Sequence, residues 1–475
     1  MKKAFLPVLL LFSIVVALIL EGCASMARPT GGPRDSLPPV LLKATPEEFS
    51  LNAARIRNTI TFDFDEFVEL DNIFENLIVS PTLKSTPNVT RKLRTVTVKI
   101  KDTLEENTTY TLNFGKAIKD LNEGNPFQDF SYTFSTGNYL DSMMLLGNVV
   151  VAQTGQIDTT LIVMLHNNLD DSAVIKQKPR YYTRVNGKGE FLFHHLPPGQ
   201  FKLYALKDEG GMQRYLNPDQ LFAFSDSVIN VSDSTPPITL YAYVDEAARE
   251  EEEKRKSSIS PKAPKPRKKQ EEENFLRYTL SLEGGTQDLL KPLTFTFAEP
   301  LALYDSTGIT LLDSTLQPVP GYTLSLDTSR TVVTLNHKWP AGTDFNLVVA
   351  DSCMTDSTNR GVLRDTIQFA TRKASEYGQL RIRFVNYVDT GVPRVLQLIA
   401  NNEVKYSIPI SATPFFAPIF QPGEYEIRIL NDTNGNGKWD PGTFFTTRQQ
   451  PETVTPYEKK LTVKGNWENE FVINL

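Results

Sequence analysis

Short runs that alternate one apolar with one polar residue recur along almost the whole chain, and this period of two is what most limits how it can fold. Thr59-Ile60-Thr61-Phe62-Asp63-Phe64, Thr95-Val96-Thr97-Val98-Lys99-Ile100 and Tyr110-Thr111-Leu112-Asn113-Phe114 are three examples. Successive side chains on an extended backbone point to opposite faces, so each run makes a strand with one buried face. β-Branched and aromatic residues, which suit a pleated surface, fill these positions. Short strands between regular turn signals favour sandwiches over folds that alternate strand and helix. The expected fold class is all-β, built of tandem β-sandwiches.

The strand pattern is duplicated. Thr95-Val96-Thr97-Val98 leads to Asn107-Thr108-Thr109-Tyr110-Thr111-Leu112 and then to Phe130-Ser131-Tyr132-Thr133-Phe134. The same order returns as Thr331-Val332-Val333-Thr334-Leu335, Ala341-Gly342-Thr343-Asp344-Phe345-Asn346-Leu347 and Asp365-Thr366-Ile367-Gln368-Phe369. A shift of 224 carries Pro198-Gly199-Gln200-Phe201-Lys202-Leu203 onto Pro422-Gly423-Glu424-Tyr425-Glu426-Ile427, Asp208 onto Asp432 and Tyr215 onto Trp439. A repeat this long is a duplicated pair of domains rather than a solenoid unit. The expected order is A-B-linker-A′-B′: A over 37–137, B over 144–244, a linker over 245–274, A′ over 275–373 and B′ over 378–475.

The linker carries Arg249-Glu250-Glu251-Glu252-Glu253-Lys254-Arg255-Lys256 and then Pro261-Lys262-Ala263-Pro264-Lys265-Pro266-Arg267. Such charge with so few apolar residues leaves nothing to bury, so disorder is expected. A flexible coil of this length separates its ends by roughly 30 Å. Its basic middle could touch anionic lipid or polysaccharide; a solvated hinge is the favoured reading.

At the N-terminus, Lys2 and Lys3 precede an apolar run from Ala4 to Leu20, which ends in Leu20-Glu21-Gly22-Cys23. A charged start, an apolar stretch and a small residue at the cut are the parts of a cleaved export signal. With its cysteine, the pattern resembles a bacterial lipoprotein signal. The resemblance implies a signal peptide over 1–22, a lipidated, palmitate-bearing mature N-terminus at Cys23 and a tether over 23–36. Glu21 departs from the small residue usual two places before such a cysteine. The alternative is an uncleaved anchor, but the run sits at the lower edge of the roughly 17–25 residues that span a bilayer, and it contains Pro7 and Ser13. Ala24-Ser25 lacks the aspartate of an inner-membrane retention signal, which favours the outer membrane. Ala24-Ser25-Met26-Ala27-Arg28 lacks the acidic cluster of a surface-export signal, which favours the periplasmic face over the cell surface.

Segment A opens with Asp35-Ser36-Leu37-Pro38-Pro39-Val40 and closes with Phe130-Ser131-Tyr132-Thr133-Phe134-Ser135-Thr136. It resembles the bacterial Ig-like domain of S-layer and surface proteins from about Leu37 to Gly137; A′ is a weaker match without the Pro-Pro start. Segment B has Leu146-Gly147-Asn148-Val149-Val150, Asn186-Gly187-Lys188-Gly189-Glu190-Phe191 and Leu196-Pro197-Pro198-Gly199-Gln200-Phe201. It resembles the prealbumin-like, carboxypeptidase-regulatory-type sandwich, a transthyretin-shaped accessory domain. The whole arrangement is similar to Ig-like lipoproteins of Bacteroidota. In the bacterial Ig-like domain family that segment A resembles, the matching residues mark strand starts and turns rather than a catalytic site.

Composition narrows the function classes. With 475 residues, two cysteines and a net charge of −6, no global basic bias points to nucleic acid. With Cys23 acylated, Cys353 is alone and no intramolecular disulfide forms; Cys353 is expected as a small buried apolar group. Of four histidines, His194 and His195 are adjacent and would point to opposite faces of a strand, while His166 and His337 fall in different segments. Metal-ligand pairs, a Gly-x-Ser-x-Gly elbow and a phosphate-cradling loop are absent from the sequence.

The expected function is therefore a non-enzymatic cell-envelope lipoprotein acting as spacer, scaffold or protein-binding module. It would be held to the membrane by lipid on Cys23 and need no cofactor. The alternative is a glycan-binding outer-membrane lipoprotein, with Trp439, Trp467, Tyr181 and Tyr182 the nearest aromatics, each equally suited to a core. A weaker alternative is an envelope-polymer hydrolase using carboxylates from separate loops. The triplets at Asp35-Ser36, Asp102-Thr103, Asp141-Ser142, Asp171-Ser172, Asp226-Ser227 and Asp365-Thr366 resemble O-glycosylation acceptors of Bacteroidota, and are equally ordinary turn formers.

Asp432-Thr433-Asn434-Gly435-Asn436-Gly437-Lys438-Trp439-Asp440 is the one metal-like spacing. Side-chain oxygens of Asp432, Asn434, Asn436 and Asp440 fall where an EF-hand loop wraps Ca²⁺, with the Lys438 carbonyl between them. Thr443 stands where the bidentate Glu belongs, and strands are expected on either side. The competing reading is a long hairpin whose Asn and Gly residues accept left-handed conformations.

Overall fold

The computed structural model describes residues 35–53, 58–245, 275–445 and 447–475. The signal peptide, Cys23, nearly all of the tether and all but the first residue of the linker lie outside the described residues. Among the described residues no helix is long and apolar enough to cross a membrane. The fold is all-β; among the described residues helix is limited to single turns such as Ile73–Asn76 and Ala173–Lys176. Two compact units result: one runs to Ser142 and includes His195–Pro197, and the other comprises Met143–His194 and Pro198–Leu475.

In the first unit the strands Leu41–Thr45, Thr59–Phe64, Thr95–Lys99 and Asn88–Lys92 form one sheet in that order. Ile78–Ser80, Thr109–Gly115 and Phe130–Ser135 form another. The alternation read from the sequence decides the packing: Ile60, Phe62 and Phe64 are buried, while Thr59, Thr61 and Asp63 are only half-buried. Phe62 meets Phe114, Phe130 and Tyr132 edge-on, with ring centres 5.1 to 5.5 Å apart. Burying such a ring contributes about 1.5–3 kcal/mol. The Tyr132 hydroxyl donates to the Pro46 carbonyl at 3.0 Å, which gives its polar end a partner inside the core.

The second unit holds A′, B′ and all of B except His195–Pro197. B has Glu190–Leu196, Met143–Val151 and Ile238–Ala242 in one sheet. Its other sheet runs Tyr181–Arg184, Leu161–His166, Gly199–Lys207, Phe222–Phe224. In B′ the corresponding sheets are Phe415–Phe420, Gly378–Val385, Glu468–Asn474 and Glu403–Pro409, Arg394–Ala400, Gly423–Asn431, Thr453–Val463.

The duplication extends to hydrogen-bond register. The pairs from Leu161↔Lys207 to His166↔Lys202 return as Arg394↔Asn431 to Ile399↔Glu426. Gly199–Lys207 and Gly423–Asn431 are related by the 224-residue shift. In both segments the first strand also pairs with the last in parallel, Gly147–Val151 with Ile238–Ala242 and Gln379–Val385 with Glu468–Asn474. A and A′ share a sheet order as well: Tyr278–Leu280, Leu293–Phe297, Val332–Asn336, Thr323–Leu326 repeats the order of the first sheet of A. Cys353 lies in the A′ core, and burial pushes its thiol pKa up.

Candidate functional site

The strand Gly423–Asn431 delivers Asp432 to a loop that is closed by its own backbone. The Asp432 carboxylate, 2% exposed, accepts from the N–H groups of Gly435 at 2.8 Å, Asn436 at 3.1 Å and Gly437 at 2.8 Å. Gly435 and Gly437 have φ of 75° and 76°, the left-handed conformation that glycine adopts without a Cβ penalty. The side-chain amides of Asn434 and Asn436 both donate to Asp440 Oδ2, at 2.6 and 2.7 Å. The Lys438 N–H donates to Asn436 Oδ1 at 2.7 Å.

The structure thus gathers Asn434, Asn436 and Asp440 and turns Asp432 toward N–H donors. The first three carry the hard oxygens that Ca²⁺ takes. Among the described residues no group of three or more His, Cys, Asp or Glu could hold a metal ion.

The sequence reading missed Glu452, the residue that locks this loop. It is 4% exposed, and its Oε1 accepts from the Thr433 N–H at 2.7 Å and hydroxyl at 2.8 Å, while Oε2 accepts from the Asp440 N–H at 3.1 Å. Its carbonyl accepts from Trp439 Nε1 at 2.7 Å. Glu452 stands outside any loop-sized window starting at Asp432, so spacing carried no signal for it.

What the locked loop supports is a finger, residues 442–445 and 447–450, which reaches from B′ into B. Thr443 and Gln449 exchange backbone hydrogen bonds at its base, at 2.9 and 2.7 Å. Phe444 is 3% exposed among Tyr204, Phe222 and Phe224, with ring centres 5.7, 5.1 and 5.0 Å away. Arg448 donates from Nη1 to Asp171 Oδ1 at 2.7 Å and from Nη2 to the Ser225 carbonyl at 3.0 Å. Its guanidinium lies 4.9 Å from the centre of Phe224 and 5.1 Å from that of Phe444, within range of a cation–π attraction. Gln450 Nε2 donates to the Phe224 carbonyl at 2.9 Å and to Asp226 Oδ1 at 2.8 Å.

Burial would raise the Asp171 carboxyl, but Lys202 and Arg448 together hold it below the usual carboxylate range. The sandwiches also approach closely at Gly155, with φ of 66°, where a Cβ would lie 2.3 Å from Pro456 Cδ and 2.6 Å from the Val454 carbonyl oxygen. Tyr215 and Trp439, paired by the 224-residue shift, both pack at this joint.

The other sequence candidates have structural settings. Tyr181 is 4% exposed in the core of B against Phe201, whereas Tyr182 is only half-buried. Trp467 is 63% exposed beneath Lys464 Nζ, 5.4 Å from the ring centre. His166 is buried against Tyr204, and desolvation pulls its pKa down to about 4, so it is neutral at pH 7. His337 packs edge-on against Trp339. Of the triplet hydroxyl residues, Ser36, Thr103, Ser142, Ser227 and Thr366 are exposed, while Ser172 is half-buried.

Residues 35–136 match the family model of the bacterial Ig-like domain. The match takes in the four-stranded and three-stranded sheets of the first unit, from Leu41–Thr45 to Phe130–Ser135, and the Ig-like core is the cluster around Phe62. No curated protein matches the chain. Among solved structures, the Bacillus anthracis TIE protein is similar over 94% of this chain and 76% of its own, at 11% identity and a TM-score of 0.17. The major pilin subunit BcpA of Bacillus cereus is similar over 70% and 98%, at 8% identity and a TM-score of 0.17. The N-terminal part of the bacterial S-layer protein SbsC is similar over 36% and 40%, at 19% identity and a TM-score of 0.16.

Proposed function

We propose that this chain is a non-enzymatic scaffold of the cell envelope, anchored through lipid on Cys23 at the periplasmic face of the outer membrane. In this role its sandwiches space and present surfaces to envelope proteins. The observation that carries the reading is the finger joint. Phe444 and Arg448 lock together two sandwiches that are distant in sequence, and a spacer that must hold its reach needs such a joint, whereas a flexible string of domains does not. The Ig-like match over 35–136 and the lipoprotein-like N-terminus support the same reading. So does the use made of reactive groups: Cys353 and His166 sit in cores, and Asp432 and Glu452 hold a loop.

The test combines anchoring with partner capture. Metabolic labelling with a fatty acid should mark the chain, and Cys23→Ala should lose both the label and the outer-membrane fraction. Protease added to whole cells should leave the protein intact, and crosslinking in cells should recover envelope proteins. A purified full chain that hydrolyses an envelope polymer, with no crosslinked partner, would overturn the proposal.

A further inference from the structure

Beside the finger joint lies a cleft of about 490 Å³, within the roughly 300–1,000 Å³ typical of small-ligand sites, which favour domain boundaries. Both sandwiches build it. B contributes residues 224–230 and part of the strand Ile238–Ala242, and B′ contributes Gln450, Pro451 and Thr453.

Its lining selects a class of ligand. Ser227 and Asn230 present hydroxyl and amide groups, while the Thr235 hydroxyl is held by the Asn230 and Ser232 carbonyls; among the described residues Asp226 is the one carboxylate, and no Lys, Arg or His lines the cleft. Gln450 holds the Asp226 carboxylate in place through a 2.8 Å hydrogen bond. Arg448, the cation behind the Phe224–Ser225 wall, is committed to Asp171 and to the Ser225 carbonyl, so the Asp226 carboxylate disfavours phosphate, sulfate or uronate by like-charge repulsion. The Tyr241 ring and aliphatic side chains supply apolar wall beside these polar groups. A pyranose has the complementary surface, an apolar C–H face edged by hydroxyls that both donate and accept.

We propose that this cleft binds a neutral oligosaccharide. The inference goes beyond the scaffold role and does not depend on the anchor. A ligand that touches both sandwiches binds the docked state more tightly than the undocked one and so stabilises docking by mass action.

The test uses the purified full chain in a non-sugar detergent. Calorimetry and saturation-transfer NMR are run with neutral hexasaccharides of glucose, mannose and N-acetylglucosamine, and with a sulfated glucose oligomer. At least one neutral oligomer should bind with a Kd below about 1 mM and raise the melting temperature. Ser227→Trp, at an exposed rim position, should weaken that binding at least about tenfold while leaving the unliganded melting temperature unchanged. Tyr241→Ala should weaken it as well, and Phe444→Ala should abolish the ligand-induced melting shift. Three results would each overturn the inference: no neutral oligomer binds, the sulfated one is preferred, or Ser227→Trp binds as tightly as the unsubstituted chain. Fatty-acid labelling and crosslinking are read separately, so failure here leaves the scaffold proposal to its own test.

Discussion

Arg448 donates to Asp171 at 2.7 Å and so ties together residues 277 positions apart. Asp171 also pairs with Lys202 of its own sandwich, so the arginine docks onto a carboxylate already fixed in place. One side chain thus joins an ion pair, a backbone carbonyl and two aromatic faces.

Removing that side chain should loosen the joint. Arg448→Ala is expected to destabilise the second unit by about 2 kcal/mol, the usual scale for a hydrogen bond to a charged group. Arg448→Lys keeps the charge but loses the planar fork and the stacking, and should fall between the two. Urea unfolding followed by circular dichroism measures the difference. An unchanged midpoint for Arg448→Ala would show that the pair contributes nothing.

Phe444 should carry more. Truncating a buried phenylalanine costs about 3–5 kcal/mol, and here the loss falls on docking. A protease site inserted between Asp245 and Phe275 allows the chain to be cut between B and A′. After cutting, the two halves should co-elute in size exclusion, and with Phe444→Ala they should separate. Separation of the unsubstituted halves would mean that the covalent connection alone keeps B and B′ together.

Asp356 predicts acid sensitivity in A′. It is 2% exposed, and burial would raise its pKa, but hydrogen bonds from Thr358 and Arg360 outweigh that and hold it down at about 2. The unfolded value is about 3.9. With the folded value below the unfolded one, the carboxylate stabilises the fold above about pH 4, and this contribution is lost as pH falls toward 2. Trp339, buried in the same core, reports the transition by fluorescence. The melting temperature should drop between about pH 4 and pH 2, and Asp356→Asn should flatten that drop.

The calcium reading of the Asp432 loop requires weak binding, with a Kd of about 10⁻⁴–10⁻³ M. Only two carboxylates belong to the nine-residue stretch, and Asp432 already accepts three N–H groups. Calorimetry on the full chain should detect binding that Asp440→Ala removes. The absence of both heat and a calcium-dependent melting shift would leave the loop a turn locked by Glu452.

The sequence by itself determined the strands and their duplication. Alternation at Thr59–Phe64 reports which face is buried, because the strand period is a property of neighbouring residues. The 224-residue shift predicted matching strands, and the registers at Leu161↔Lys207 and Arg394↔Asn431 agree with it. The turn chemistry of Gly435 and Gly437 was legible for the same local reason.

Tertiary structure decided what those strands dock against. Tyr181 and Tyr182 are indistinguishable as glycan candidates in the sequence, yet one is core and the other half-buried. Glu452 locks a loop that begins 20 positions earlier, at Asp432. Phe444 and Phe445 are the sharpest case: the first is 3% exposed inside B, and the second is 47% exposed. Identical adjacent side chains carry no local pattern to separate them. Which one is buried depends on a surface contributed by residues more than 200 positions away, and burial against such a surface is set by three-dimensional packing rather than by spacing along the chain.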